Sequence, residues 1–265
     1  MDDYGMEWFL EKFREYHGEP MEEAREYHFD HNGDRFGWVE GENGNSHLTI
    51  HIDSGRIADW DGYPLRTGLR EIAKVHTGEF RVTCNQNLVI ANVTPKQKDQ
   101  VQALVDQYSL RDGTRATPLA RNAMSCVAFP TCGLAMAESE RYLPELVGKL
   151  DGLMEKHGLS DQAVNVRVTG CPNGCARPYL GEIGLTGKAL GKYNLYLGAD
   201  HKGERMNRLY RENIDEGTIL GILDPMLERY SKERKDGEYF GDFLVRVGII
   251  EAERTPSMFH EALTS

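Results

Sequence analysis

The chain has 265 residues, and none of its apolar runs approaches the roughly 18 consecutive apolar residues that a membrane-spanning helix needs. A soluble protein is therefore expected, with no membrane partner. Positive charge is also in short supply: 31 Lys and Arg against 42 Asp and Glu leave a net charge of -11. That balance argues against nucleic acid as a partner, because binding a phosphate backbone needs a basic face to displace counterions. No GxGxxG element occurs, and the nine histidines show no ligand spacing, so neither a nicotinamide nor a flavin is expected on this chain. The opening residues MDDYGMEWFLEKFREYHGEP lack the cationic start and continuous apolar stretch of a secretory signal, and the expected compartment is the cytoplasm. Cysteine is sparse and odd in number, at five. In a reducing compartment that excludes a disulfide framework as the main support of the fold and points to metal binding or catalysis instead.

An apolar fraction of 40% with 9% aromatics suffices for well-buried cores, and the length suits one large or two ordinary domains. Trp8, Phe9 and Phe13 recur at helical spacing near the start. A short strand is expected around Phe36 to Val39 between two turn-rich stretches, and HLTIHID at 47–53 alternates as a half-buried strand does. Residues 65–76 place Leu65, Leu69, Ile72, Ala73 and His76 on one helical face, which Gly78 stops. The run 80–93 reads as one or two strands interrupted at Asn85, Gln86 and Asn87, with a helix from Lys96 to about Tyr108. Strand, helix, strand, helix makes a compact α+β unit, and the loop-like DGTRATP stretch sets a boundary after residue 113. Beyond it a second, mixed α/β region is expected. Its helices fall at about 133–157 and 216–234, its strands at about 164–169, 181–186, 193–197 and 243–248, with a tail after Ala252.

Cys126 and Cys132 have five residues between them, Cys171 and Cys175 have three, and 38 residues separate the pairs. Pro130 and Gly133 prevent a continuous helix through the first pair, so both sulfurs can turn toward one point. Gly170, Pro172 and Gly174 make a tight loop around the second pair, and such loops bring backbone N–H groups close to whatever the sulfurs hold. Four thiolates from two loops suit an iron–sulfur cluster. Structural zinc, which favours gaps of two to four residues, and buried or redox thiols remain open on spacing alone. Cys84 stands apart and reads as a small buried strand residue.

The segments CVAFPTCGLAMAE and VRVTGCPNGCARPYLGEIGL resemble the two cysteine motifs of the sirohaem-dependent sulfite and nitrite reductases. GKALGKYNLYLGADHKGERMNRLYRENI and FGDFLVRVGII resemble the haemoprotein subunit of assimilatory sulfite reductase in particular, and PLRTGLREIAKVHTGEFRVTCNQNLVIANV is similar to the second of that family's two ferredoxin-like repeats. The resemblance runs over nearly the whole chain. It implies an α+β fold: residues 1–38 as the remnant of a preceding cofactor-binding lobe, 39–113 as the ferredoxin-like repeat, and 114–265 as an iron–sulfur and sirohaem domain.

It further implies a 4Fe–4S cluster held by Cys126, Cys132, Cys171 and Cys175, with Cys175 also the axial ligand of the sirohaem iron and so the catalytic residue. Asn173 is a candidate donor to the cofactors, or a turn residue tolerating left-handed geometry. The implied reaction is reduction of sulfite to sulfide for sulfate assimilation and cysteine biosynthesis. Electrons would come from NADPH through a flavoprotein reductase subunit. Nitrite reduction, a ferredoxin donor, or a non-catalytic electron-transfer module are the alternatives. Family members carry a further region of comparable size before the part seen here. Met1 falls well inside the family pattern, so an N-terminal half of the haemoprotein is expected to supply most of the basic residues around substrate and macrocycle. Arg66, Arg70, Arg81, Arg121, Arg167 and Arg177 are the local candidates for such a role.

Overall fold

In the computed structural model, residues 4–252 are described, apart from 24, 28, 30, 31 and 114. The chain divides into two units, residues 1–31 and residues 32–265. The first contains helix α1 (Gly5–His17), which ends where Gly18 takes φ +86° and returns its N–H to the Arg14 carbonyl at 2.9 Å. That left-handed stop is what glycine supplies without steric cost. Trp8 and Phe9 on this helix remain exposed.

The second unit begins with an antiparallel sheet whose order is β1-β2-β6-β5. Its strands are β1 (Gly37–Glu40), β2 (Ser46–Ile50), β5 (Glu79–Val82) and β6 (Leu88–Val93). A small hairpin of β3 (Asp59–Trp60) and β4 (Tyr63–Pro64) precedes helix α2 (Leu65–Val75), and helix α3 (Pro95–Gln107) follows β6. Period-two alternation turns Leu48, Ile50, Leu88 and Ile90 inward against Leu65, Leu69 and Ile72 of α2 and Val101 and Val105 of α3. Each such side chain, taken from water, contributes roughly 1.5–3 kcal/mol. The helix reading of 65–76 holds, except that Ala73 faces solvent and Gly68 takes the buried position. A Cβ at Gly68 would stand 2.7 Å from the Tyr108 side chain, so only glycine admits the end of α3 so close to α2.

The second sheet is mixed, in the order β11-β10-β9-β8-β7. Strands β7 (Ala123–Ser125), β8 (Val166–Thr169) and β9 (Ile183–Ala189) are parallel, and β10 (Lys192–Leu197) and β11 (Arg208–Ile214) continue antiparallel. Helix α4 (Pro118–Arg121) precedes β7, α5 (Leu143–Lys156) precedes β8, and α6 (Glu216–Glu233) and α7 (Phe240–Arg246) follow β11. One face of this sheet, with Val166, Val168, Ile183, Leu185, Leu195 and Leu197, shares a core with α5, α6 and α7. The other face carries the register row Met124, Arg167, Gly184, Tyr196 and Leu209.

Three expectations are corrected here. The helix expected over 133–157 begins only at Leu143, because residues 133–142 are held in turns by the neighbouring cysteine loop. The ending GDFLVRVGII, expected as a strand, is helix α7: Phe240, Phe243 and Leu244 are buried at helical spacing, and Gly248 at φ +74° ends the element. Strand β11 was not foreseen, because RLYRENI carries too few apolar residues to alternate clearly. The tail expected after Ala252 lies outside the described residues. Among the described residues no helix is long and apolar enough to cross a membrane.

A buried carboxylate ties this half together. Glu182 is fully buried and accepts the N–H groups of Asn165 at 2.8 Å and Gly241 at 2.9 Å, with His201 Nδ1 at 2.9 Å. Gly241 must be glycine there, since a Cβ would fall 1.7 Å from the Ala199 carbonyl oxygen.

Candidate metal centre

The two cysteine pairs lie far apart in sequence, and a single residue between β8 and the CPNGC loop, Gly170, links their loops. Gly170 donates its N–H to Cys126 Sγ at 3.2 Å. Its carbonyl accepts from Met136 N at 2.7 Å and Ala137 N at 3.0 Å, just beyond Cys132. The residue before Cys171 thus grips the chain on both sides of the first pair. A side chain at Gly170 has no room, because a Cβ would meet Ala128 Cβ and the Ala137 oxygen, each at 2.7 Å. Parallel pairing of β7 with β8 sets this register, and Cys126 N continues it by donating to the Val168 carbonyl at 3.2 Å. Cys132 is turned back by its own N–H, bonded to the Ala128 carbonyl at 2.8 Å.

The second pair occupies a loop closed at several points. Thr169 Oγ1 donates to the Cys171 carbonyl at 3.1 Å, Tyr179 O–H to the Pro172 carbonyl at 3.1 Å, and Arg177 N to the Gly174 carbonyl at 2.8 Å. The left-handed turn is made by Gly174, φ +71°, and not by Asn173, which is simply exposed. Cys171 is buried, Cys126 and Cys132 are half-buried, and Cys175 is exposed. Among the described residues no three His, Cys, Asp or Glu side chains converge as they would around one metal ion. A cluster spreads its thiolates over separate irons, so its cysteines need not converge on one point.

The residues fit such a group. An N–H aimed at a sulfur stabilises the thiolate form, a tight glycine turn brings further backbone close, and the sulfurs come from both loops. Tyr193 sits within electrostatic reach of Cys126, and burial, then the Glu138 carboxylate and that thiol, push its phenol up. Burial first, and then Tyr196, push the Tyr179 phenol up to about 12. Both phenols therefore stay neutral donors beside the cysteines.

Cys84, expected as a buried strand residue, is instead exposed in the turn between β5 and β6. That turn is organised by Asp34, which accepts from Thr83 Oγ1 at 2.6 Å, Asn85 Nδ2 at 3.2 Å and Asn87 Nδ2 at 2.7 Å. The six arginine candidates separate clearly. Arg66 pairs with Asp59, Arg81 with Glu79, and Arg70 is exposed. Arg121 lies over the Phe36 ring at 5.7 Å. Arg177 Nη2 donates to the Cys84 carbonyl at 3.0 Å and to Asn85 Oδ1 at 3.2 Å. Arg167 is 7% exposed with its Nε unpartnered, and burial, then the Arg177 charge, pull its guanidinium down to about 10.

Residues 39–108 match the family described as the nitrite/sulfite reductase ferredoxin-like half domain. Over 261 residues, 98% of its length, the chain is 56% identical to the NADPH sulfite reductase hemoprotein beta-component of Bacillus subtilis (strain 168). The chain belongs to the nitrite and sulfite reductase family. The Myxococcus xanthus (strain DK1622) protein of the same name is 57% identical over 248 residues, 94% of this chain. The chain spans about half the length of these family members, 46% and 44% respectively. The family fold extends to solved structures: the NirA protein of Mycobacterium tuberculosis superposes with a TM-score of 0.75 at 24% identity, covering 92% of this chain and 46% of that one.

Backbone approach to the sulfurs from the Gly170 loop was expected from the sequence, and what it did not show at this candidate site is the part played by side chains and carbonyls outside the thiols. The second carbonyl partner of Gly170, the hub at Asp34 and the burial of Arg167 have no signature in spacing. The G in VTGCPNGC was the signal for Gly170, since a glycine directly before a candidate ligand cysteine marks close backbone approach.

Proposed function

We propose that this chain is the cluster- and sirohaem-bearing C-terminal part of a sulfite reductase haemoprotein, reducing sulfite to sulfide with electrons from a flavoprotein partner in the cytoplasm. The observation that carries the reading is Gly170, whose N–H reaches Cys126 Sγ while its carbonyl holds the backbone just past Cys132. In this reading residues 1–38 are the remnant of a preceding lobe, 39–113 the ferredoxin-like repeat and 114–265 the cofactor domain. The two separate sheets, one ending at Val93 and the other starting at Ala123, support that division.

Cys126, Cys132, Cys171 and Cys175 would hold the 4Fe–4S cluster, with Cys175 also reaching the sirohaem iron and Asn173 beside it. When bound, the pair supplies single-electron storage next to an iron that accepts the sulfur oxyanion, which suits a reduction needing six electrons. The chain's own contributions are physical. The Gly170 N–H offsets negative charge on the Cys126 sulfur. Burial of Cys171 keeps water from one side of the thiolates, and exposure of Cys175 leaves its sulfur open to a second group. Tyr179, by holding the Pro172 carbonyl, fixes the loop on which Cys175 rides.

The test is anaerobic purification followed by absorbance spectroscopy, iron analysis and sulfite reduction with an artificial donor. These are run with and without the preceding half of a relative such as the Bacillus subtilis protein. Iron and a cluster spectrum are expected in the chain alone, and sustained turnover only with the added half. Stoichiometric zinc in place of iron would overturn the cluster assignment. Steady sulfite reduction by residues 1–265 alone would overturn the dependence on that half.

A further inference from the structure

The face of the second sheet that turns away from α5 and α6 holds a charge with no counterpart. Arg167 lies mid-strand in β8, flanked in register by Met124 of β7 and Gly184 of β9. Its side chain is walled in: a Cβ at Gly181 would stand 2.8 Å from Arg167 Cγ, so the absence of that Cβ makes the space for it. With 7% exposure and an unpartnered Nε, it makes neither ion pair nor side-chain hydrogen bond among the described residues. The groups that act on it electrostatically are Arg177, which repels it, and the thiol of Cys84, which carries negative charge only when ionised. Arg177 hydrogen-bonds through Nη2, to the Cys84 carbonyl, Asn85 Oδ1 and Met124 Sδ. Two guanidinium groups are thus gathered beside Met124 and Cys84 with no carboxylate between them.

Leaving a buried cation uncompensated is strongly unfavourable, and a sheet interior is a rigid place to keep one. Arginine in such a place is suited to meet a planar or tetrahedral anion with two parallel N–H groups. We propose that Arg167 and Arg177 form an anion-binding site, with Arg167 the buried anchor and Arg177 the exposed partner, and that it takes one carboxylate or one small oxyanion. Two sources share that chemistry: a carboxylate of the macrocycle assigned under the proposed function, and a free oxyanion such as sulfite. Only the first source rests on that assignment.

The test measures thermal unfolding of the full 265-residue chain against inorganic phosphate and acetate, at ionic strength held constant with chloride. The wild type is expected to gain stability with either anion. Arg167→Gln is expected to lose that gain, with apparent affinity falling about tenfold or more for a lost charge-assisted contact. In chloride alone Arg167→Gln should equal or exceed the wild type in stability, because an uncompensated buried charge has been removed. Arg167→Lys and Arg177→Gln provide the comparison if the first variant does not fold: the lysine should keep part of the response, and Arg177→Gln should weaken it. A second arm titrates sirohaem into wild type and Arg167→Gln at equal cluster content. Weaker uptake by the variant identifies a macrocycle carboxylate as the ligand, and equal uptake alongside a phosphate response that only the wild type shows identifies a free oxyanion; a phosphate response kept in full by Arg167→Gln overturns the proposal. The proposal is overturned if neither anion stabilises the wild type beyond chloride and sirohaem uptake is unchanged by the substitution. A chain lacking iron altogether would sink the proposed function and leave the phosphate arm standing.

Discussion

Gln86 and Ser125 bind each other as two strands do: the Gln86 side-chain amide donates Nε2 to the Ser125 carbonyl at 2.6 Å and accepts Ser125 N–H on Oε1 at 3.2 Å. One side chain therefore completes the free edge of β7 at the residue before Cys126. Gln86 takes φ +67° to do so, a left-handed conformation that costs a non-glycine residue about 1 kcal/mol or more. It joins the turn after β5 to the first cysteine loop. Replacing Gln86 by Ala leaves a buried backbone donor and acceptor unpaired, and a loss of about 1–3 kcal/mol is expected in urea unfolding. Iron should also be released faster to a chelator. Unchanged release alongside reduced stability would show that the pair supports the fold and not the cysteine loop.

Gly170→Ala should act more locally and more severely on the metal centre. The added methyl group must displace Ala128 or the Ala137 carbonyl, each 2.7 Å away. Overpacking of this kind costs about 1–3 kcal/mol. Because the same residue carries the N–H to Cys126 Sγ, iron content per folded chain should fall along with stability. Iron analysis on the folded fraction, separated by gel filtration, checks this, and full iron occupancy would contradict the role given to Gly170.

Serine at Cys126 or Cys132 should strip most of the roughly four irons expected per chain, since an alkoxide is a harder and poorer ligand for such iron than a thiolate. Cys175→Ser should do something further. In protein completed with its preceding half and loaded with sirohaem, the change is expected to uncouple the two centres and abolish sulfide formation. Paramagnetic resonance and Mössbauer spectra at equal cofactor content give the answer: magnetically independent centres in the wild type would remove the bridging role from Cys175 whatever holds the cluster.

Asp53 supplies a pH dependence. Burial raises its carboxyl, but the hydrogen bond with His51 at 3.1 Å and the charge of Arg111 at 2.5 Å outweigh that and hold it below the usual carboxylate range. A carboxyl depressed in the folded state stabilises fully above its unfolded value, about 3.9, and loses that contribution as pH falls through the folded one. Asp53→Asn should therefore be less stable than the wild type at pH 7, with the gap narrowing below about pH 4. A gap of equal size at pH 7 and pH 3, read from urea midpoints, would show that the carboxylate charge contributes nothing.

The sequence alone determined those features whose causes are local. Alternation in HLTIHID and the helical spacing of Leu65, Leu69 and Ile72 specified the first sheet and its helix, because burial there follows directly from period. The paired cysteines with their glycines and prolines likewise marked a candidate site from sequence, since thiolate ligands and tight turns carry a compositional signature. The final segment FGDFLVRVGII could not be read this way. It fits a buried strand or a buried helix turn equally well, and the contacts of Phe240, Phe243 and Leu244 with the core beneath the second sheet decided for the helix. Cys84 went the same way: free cysteine commonly packs as a small apolar side chain, which suggested burial, but Asp34, 50 positions earlier, binds Thr83, Asn85 and Asn87 and fixes an exposed turn. Which arginine would be left without a partner was also beyond the sequence, because pairing depends on where every carboxylate ends up. Only the folded sheet sets Arg167 beside Arg177 and away from any acid, since its strand lies between β7 and β9 and the residues facing it there are Met124 and a glycine.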